Sequence, residues 1–161
     1  MRNKQIVVDY LYLDLTTCER CVGTDQVLEE VLNELVPAFE LAGYDIIFNL
    51  IEITDAEMAE KYKFLSSPTI RVNGNDICSS VQENNCGCCG EISGTAVDCR
   101  VFEYEGKLYE VPPKEMLAES VLKYAFAEAA ADSDYTLPDN LKRFFEGKLK
   151  KSSCCSGSCC C

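Results

Sequence analysis

Cysteine supplies most of the reactive side chains of this sequence, which has twelve cysteines and no histidine among 161 residues. The first two, Cys18 and Cys21, are spaced Cys-x-x-Cys and lie where a helix is predicted to begin. A thiol at a helix N-terminus faces unpaired backbone N–H groups and the positive end of the helix dipole, which favour the thiolate. We therefore expect Cys18 to have a depressed pKa and to attack or ligate, with Cys21 as the resolving thiol.

A second group of five cysteines lies in the middle of the chain, around the segment NNCGCCG: Cys78, Cys86, Cys88, Cys89 and Cys99. Four thiolates from this group could bind zinc in a tetrahedral site. Three could bind a soft trivalent ion such as arsenite, because thiolates prefer soft ions and the chain has no imidazole. For Cys78 and Cys99, burial on strands as small apolar side chains is an equally good interpretation. For the other three the sequence favours a ligand or redox role.

The C-terminal segment SSCCSGSCCC carries five more cysteines: Cys154, Cys155, Cys159, Cys160 and Cys161. Because cysteine is its only apolar residue type, we expect residues 152–161 to form a disordered, flexible tail until a ligand binds. The cysteine pairs of this tail resemble those in the tails of arsenic and heavy-metal resistance proteins, which implies metal binding by all five. A low-complexity extension without such a role is the alternative.

Charge and hydropathy exclude several classes of partner. The net charge of −12 would repel phosphate backbones, so we expect no nucleic acid partner. No apolar run approaches the roughly twenty residues that cross a bilayer, so no membrane span is expected. Asp9 and Asp14 interrupt the first apolar run, which lacks a cleavage pattern. These features predict a cytoplasmic protein whose cysteines are mostly reduced thiols.

The first half of the chain predicts alternating strands and helices. Residues 6–15 form an apolar, β-branched run typical of a buried strand, which Thr16 or Thr17 would end by capping the next helix. Apolar residues at helical spacing follow to Phe39, with Pro37 expected to kink the helix and Gly43 to terminate it. A second strand is predicted at 44–53, then a short helix at 54–63, which Thr54 and Glu57 would open as a capping box.

The second half predicts two hairpins and two helices. Asn73-Gly74 favours a tight turn between strands at 70–72 and 75–79, and a second hairpin is predicted at 100–111. Between them, residues 80–98 show no helical or strand period and are predicted to form a long cysteine-rich loop. Helices are expected at 116–131 and 140–150, and we expect the apolar side of the second helix to pack on its own domain.

These elements resemble the thioredoxin superfamily. The resemblance rests on CERC between a strand and a long helix, and on Ser67-Pro68-Thr69 before the third strand. It implies an α/β, thioredoxin-like fold with a central mixed sheet flanked by helices, and a cis Pro68 beside the two cysteines. More narrowly, the chain is similar to a family of small bacterial thioredoxin-like proteins of unknown function. We expect the thioredoxin-like domain at 1–136 with a cysteine-rich insertion at 80–98 and an extra hairpin, a helix at 137–151, and the tail.

Three functions remain open on this basis. The favoured one is a dithiol protein that binds, transfers or detoxifies soft metal or metalloid ions through thiolates, with zinc or trivalent arsenic as the ion. The second is a thiol-disulfide oxidoreductase that acts on a partner protein, with Cys18 as nucleophile, Cys21 as resolving thiol and Pro68 beside them. The central Glu19-Arg20 and the absence of tryptophan depart from the thioredoxin pattern and disfavour general disulfide reduction. The third is an adaptor stabilised by zinc.

Overall fold

A computed structural model describes residues 4–16, 18–78, 81–128 and 134–154 as a mixed α/β structure. Its described part contains a four-stranded mixed sheet, a three-stranded antiparallel sheet and five helices. The elements are, in chain order, β1 (Lys4–Tyr12), α1 (Glu19–Leu41), β2 (Tyr44–Glu52), α2 (Ala56–Lys61), β3 (Thr69–Val72), β4 (Asn75–Asp76), β5 (Gln82–Asn85), α3 (Gly87–Ser93), β6 (Asp98–Tyr104), β7 (Lys107–Tyr109), α4 (Lys114–Ala125) and α5 (Asp139–Cys154).

The four-stranded sheet has the order β2-β1-β3-β4, so β1 is a central strand. It pairs in parallel with β2, from Lys4 opposite Tyr44 to Tyr12 opposite Glu52, as predicted. It pairs antiparallel with β3 on its other side. Because side chains alternate along a strand, one face of β1 contributes to one core and the other face to a second core. The cysteine pair therefore follows a strand that has a neighbouring strand on each side.

The first core contains apolar residues of β1, α1, β3 and α4. Its fully or almost fully buried side chains include Ile6, Val8, Leu28, Leu32, Ile70, Leu117 and Val121. The helical spacing predicted for residues 27–39 is confirmed, since α1 buries one face and runs through Pro37. It ends before Gly43, whose φ of +83° suits a residue without a Cβ. The predicted terminator is therefore correct.

The Asn73-Gly74 turn is also confirmed. It joins β3 to β4 with φ of +50° and +82° at its two residues, the left-handed conformation that a two-residue hairpin loop requires. The Asn73 side chain accepts a hydrogen bond from Val7 N at 2.9 Å and donates one to Ala125 O at 3.0 Å. One turn residue thus ties β1 and the end of α4 to the hairpin.

Several predicted boundaries are wrong. Cys18, not Thr16, is the N-cap of α1, because Thr16 instead binds Asp14 Oδ1 through its backbone N and its hydroxyl. Thr17 lies outside the described residues. Asp55, not Thr54, caps α2, since a carboxylate accepts the Met58 N–H at 2.8 Å. Strand β4 is shorter than predicted, and α4 ends at Ala125.

The largest error concerns residues 80–98. The predicted loop contains strand β5 and helix α3, and β5 pairs with β6. Helix α3 ends at Gly94, which has a φ of +71°. Seven residues rich in glycine and cysteine provide too few apolar side chains for a helical period to show.

Helix α5 packs on its own domain, as expected. Leu141, Phe144 and Phe145 are buried in a second core, together with Leu11, Ile53 and Phe64. Gly147 faces α3 so closely that a Cβ there would overlap the Ser93 carbonyl oxygen. The Lys151 ammonium donates to Glu91 O near the C-terminus of α3. No helix in these described ranges combines the length and apolar character that a bilayer span requires.

Replacing Gly147 by alanine should therefore destabilise the protein by about 1–3 kcal/mol, because backbone atoms cannot yield as a flexible side chain can. Urea unfolding followed by circular dichroism measures the change in free energy. Gly87→Ala is the matched control, since a Cβ at Gly87 meets no atom within 4 Å. Equal unfolding midpoints for Gly147→Ala and the unmodified protein would contradict the close α3–α5 contact.

Candidate functional site

The first cysteine pair, Cys18 and Cys21, begins α1. Cys18 is the N-cap with extended backbone angles, and the Sγ atoms of both residues belong to fully buried side chains. Tyr10 on β1 donates its hydroxyl to Cys21 O at 2.6 Å, which fixes the first turn of α1 against the sheet. On the other side, Cys21 Sγ lies 3.4 Å from Ser67 Oγ.

The second cysteine pair, Cys86 and Cys89, begins α3 with the same Cys-x-x-Cys spacing. Cys86 is the N-cap, and its backbone N donates to Val97 O at 2.8 Å. Both side chains are buried. The sequence pattern places these two cysteines in a loop and does not single them out as a pair. Their spacing, with Gly94 after it as a helix terminator, is the sequence signal for a short helix here.

Helices α1 and α3 bring the two pairs together. The Sγ atoms of Cys18, Cys86 and Cys89 all lie within 4.8 Å of one another. Cys99 on β6 extends this group, with its Sγ 3.4 Å from Cys89 Sγ. Cys18 also hydrogen-bonds Cys21. We call these five residues the sulfur cluster: Cys18, Cys21, Cys86, Cys89 and Cys99.

Hydrogen bonds among the sulfurs set their pKa values in opposite directions. Hydrogen bonds with Cys21 and Cys86 raise the pKa of Cys18, which is the opposite of the depressed pKa predicted for it. Hydrogen bonds from Cys18 lower the pKa of Cys21 and of Cys86. Contacts with Cys18 and Cys86 raise the pKa of Cys89. The hydrogen bond to Cys86 raises the pKa of Cys99. Within the cluster, these hydrogen bonds therefore favour the thiolate form at Cys21 and Cys86 and disfavour it at Cys18, Cys89 and Cys99.

Ser67, which precedes cis Pro68, lies against Cys21 of the first pair. The Ser67-Pro68 peptide bond is cis, as expected. The Ser67 hydroxyl accepts a hydrogen bond from Leu13 N at 3.1 Å as well as contacting Cys21. Ser67 O accepts one from Arg100 N at 2.7 Å. The sequence identifies Ser67 only as part of Ser67-Pro68-Thr69 and does not predict that it joins the first pair to the strand that carries Cys99.

A buried charged side chain holds that strand in place. Arg100 on β6 is fully buried and donates to Thr69 Oγ1 at 3.1 Å. It also donates to both carboxylate oxygens of Asp76, at 2.8 and 3.1 Å. A guanidinium suits such a contact, because its fixed fork matches a carboxylate. Strand β6, which carries Cys99, is thus anchored to the hairpin that follows Pro68.

The remaining predicted ligands lie elsewhere. Cys78 packs against the first core and lines a cavity of about 290 Å³ with Ile77 and Met116, and burial raises its pKa to about 11. Cys88 is partly buried and packs against the second core, beside the sulfur cluster. Cys154 is the last residue of α5. Cys155, Cys159, Cys160 and Cys161 lie outside the described residues.

The donor set and its spacing suit a soft ion. Zinc–sulfur bonds of about 2.3 Å would place tetrahedral sulfurs about 3.8 Å apart. The Sγ atoms of Cys89 and Cys99 are 3.4 Å apart, and those of Cys18, Cys86 and Cys89 lie within 4.8 Å of one another, which is compatible with that value. All five side chains of the cluster donate through sulfur, and the chain has no histidine that could add a nitrogen donor. The cluster can therefore supply three or four thiolates to one thiophilic ion.

Comparison with known proteins gives one family match. Residues 6–121 match a family model described as "Domain of unknown function (DUF2703)". The matched range contains the whole sulfur cluster and ends before α5. No curated protein and no solved structure matches the chain.

Replacing Asp76 by alanine should destabilise the protein by about 3 kcal/mol, because it removes the carboxylate that a buried guanidinium binds. The low end of the range for broken buried ion pairs applies, because the Asp76 side chain is 28 % exposed. Denaturant unfolding measures the loss. Breaking the exposed pair of Lys114 and Glu30 with Lys114→Gln is the control and should change stability little. A comparable small change for Asp76→Ala would show that the buried pair does not anchor β6.

Proposed function

The chain belongs to the DUF2703 family, and we propose that it handles soft metal or metalloid ions of the arsenite type by binding and transferring them through cysteine thiolates. The observation that carries this proposal is the mutual approach of Cys18, Cys86 and Cys89, whose Sγ atoms lie within 4.8 Å of one another. Two of these cysteines come from one Cys-x-x-Cys pair and the third from the other. An ion held by all three would join two segments that are distant in sequence.

Burial favours a trivalent ion over zinc. The three cysteines are at most 2 % exposed and pack among apolar side chains such as Leu13 and Phe144. A buried net charge is costly. Three thiolates with a trivalent ion carry no net charge, whereas four thiolates with zinc carry a net negative charge. Arsenite fits this requirement, because its three hydroxyl groups leave as water with the three thiol protons while three arsenic–sulfur bonds form, without any change of oxidation state.

We also propose that the fold is thioredoxin-like. The strand order β2-β1-β3-β4 supports this, as does a Cys-x-x-Cys pair at the start of the helix after β1. The cis Ser67-Pro68 bond next to Cys21 is a third supporting feature. In this view the insertion at 80–98 adds Cys86 and Cys89 to the first pair, and β6 of the extra hairpin adds Cys99.

Thiol-disulfide exchange with a partner protein is less well supported. Cys18 and Cys21 have no exposed surface, and a disulfide of a partner protein must reach the attacking sulfur. The oxidoreductase alternative would require α3 to move away from α1. A small ion needs a much smaller opening than a polypeptide does.

The tail cysteines would collect ions for the buried site under this proposal. Lys151 binds Glu91 O, so the described end of the chain lies beside α3, which begins with Cys86. A helix of that length spans about 10 Å, a distance that a few residues of extended chain can cover. The function also requires reduced thiols, which is consistent with the predicted cytoplasmic location.

Arsenite titration of protein purified without oxygen tests the proposal. We expect one tightly bound ion per chain at the sulfur cluster, detected by calorimetry with the tail cysteines replaced by serine. Cys86→Ser should weaken binding by at least about 100-fold, because it removes one of three bonds to the ion. Cys78→Ser is the matched control and should bind as the parent does, since Cys78 packs in the other core.

The other functions predict different results in the same preparation. A zinc ion that resists dialysis and is not displaced by arsenite would favour the adaptor. Fast reduction of a test disulfide that disappears with Cys18→Ser would favour the oxidoreductase. Either result without arsenite binding would contradict the proposed function.

A further inference from the structure

We propose that Arg20 is a positioning residue that sets how many sulfurs reach the bound ion. It lies between the two cysteines of the first pair, and its guanidinium contacts the residue directly before the second pair. This inference rests on the proposed function and deepens it, because it names what holds the two pairs at binding distance.

The contacts of Arg20 run from one pair to the other. Its Nη2 atom donates to the backbone oxygen of Asn85 at 2.8 Å, and Asn85 is followed in the chain by Cys86. The same nitrogen donates to Glu110 Oε1 at 2.7 Å. The Arg20 side chain is only 11 % exposed, whereas that of Glu110 is 58 % exposed. The nearly buried Arg20 side chain therefore connects the two pairs, and Glu110 binds it from the solvent-exposed side.

The position of this link determines its effect. Cys18 and Cys86 are the N-caps of α1 and α3, so each Sγ moves with the first turn of its helix. Arg20 lies in the first turn of α1 and binds the carbonyl at the end of β5. Its guanidinium can donate to two acceptors in one fixed plane, which a flexible lysine ammonium cannot reproduce. Loss of the link would release the start of α3 from the start of α1.

The chemical consequence is a change in coordination. Without Arg20, one arsenic–sulfur bond between the pairs would be replaced by a bond to a hydroxyl group from water. The released sulfur would take up the remaining proton of that water, so atoms and charge balance and no electron is transferred. The ion would then be held by two sulfurs of a single pair. Groups that orient ligands commonly change metal affinity by about 10- to 100-fold when they are removed.

X-ray absorption at the arsenic edge, on full-length protein loaded with one equivalent of arsenite, counts the sulfur ligands. We expect three sulfurs in the unmodified protein and two sulfurs plus one oxygen in Arg20→Gln. Transfer of arsenite to a competing dithiol measures the dissociation rate, which should rise about 10- to 100-fold in Arg20→Gln. Arg20→Lys should restore the rate only in part, because it can keep one of the two contacts.

Glu19→Gln is the matched control, because Glu19 occupies the other central position of CERC and is exposed. It should keep three sulfurs and the parental rate. Glu110→Gln leaves the Asn85 contact in place and should raise the rate less than Arg20→Gln, so it serves if Arg20→Gln does not fold. Three sulfurs and a parental rate in folded Arg20→Gln, or in Glu110→Gln where Arg20→Gln does not fold, would overturn this inference while leaving the proposed function intact. Failure of the unmodified protein to bind arsenite would overturn both.

Discussion

The arrangement of this protein depends on packing two Cys-x-x-Cys segments into one buried volume. Thiols at such short separation compete for protons, so a hydrogen bond that favours one thiolate disfavours its neighbour. That competition lowers the pKa of Cys86 and raises that of Cys18. Burying several separate thiolates in an apolar core is energetically costly. A soft ion of the kind proposed above would remove the competition, because it would replace the shared protons with bonds to sulfur.

The rest of the fold serves to hold the second pair against the first. Helix α5 covers α3 at Gly147, and the Lys151 contact with Glu91 O fixes the far end of α3. Arg100 anchors β6, and with it Cys99, to the hairpin after Pro68. These contacts hold α3 against α5 and β6 against the hairpin of β3 and β4. The site is therefore a product of tertiary packing and not of either cysteine motif alone.

Local signals in the sequence predicted much of this structure. The strands at β1 and β2, helix α1 and its end at Gly43, and the Asn73-Gly74 turn each follow from short-range patterns. Helix α3 did not, because it has few apolar residues and is shorter than a reliable helical period. The contact between Cys18 and Cys86 is set by topology, which no local pattern encodes.

The direction of the Cys18 pKa shift could not be predicted for a related reason. Its position at a helix N-terminus argues for a thiolate, but hydrogen bonds with Cys21 and Cys86 outweigh that effect. Only the folded arrangement shows which sulfurs lie close enough to interact. The same is true of Ser67, whose hydroxyl and carbonyl become important because of what packs beside them.

A crystal structure of the arsenite-loaded protein, with arsenic located by anomalous scattering, tests the central claim most directly. The account predicts one arsenic atom bonded to Sγ of Cys18, Cys86 and Cys89, with α1 and α3 in the positions described above. Arsenic bonded to a single Cys-x-x-Cys pair, or found only on cysteines outside the sulfur cluster, would contradict it.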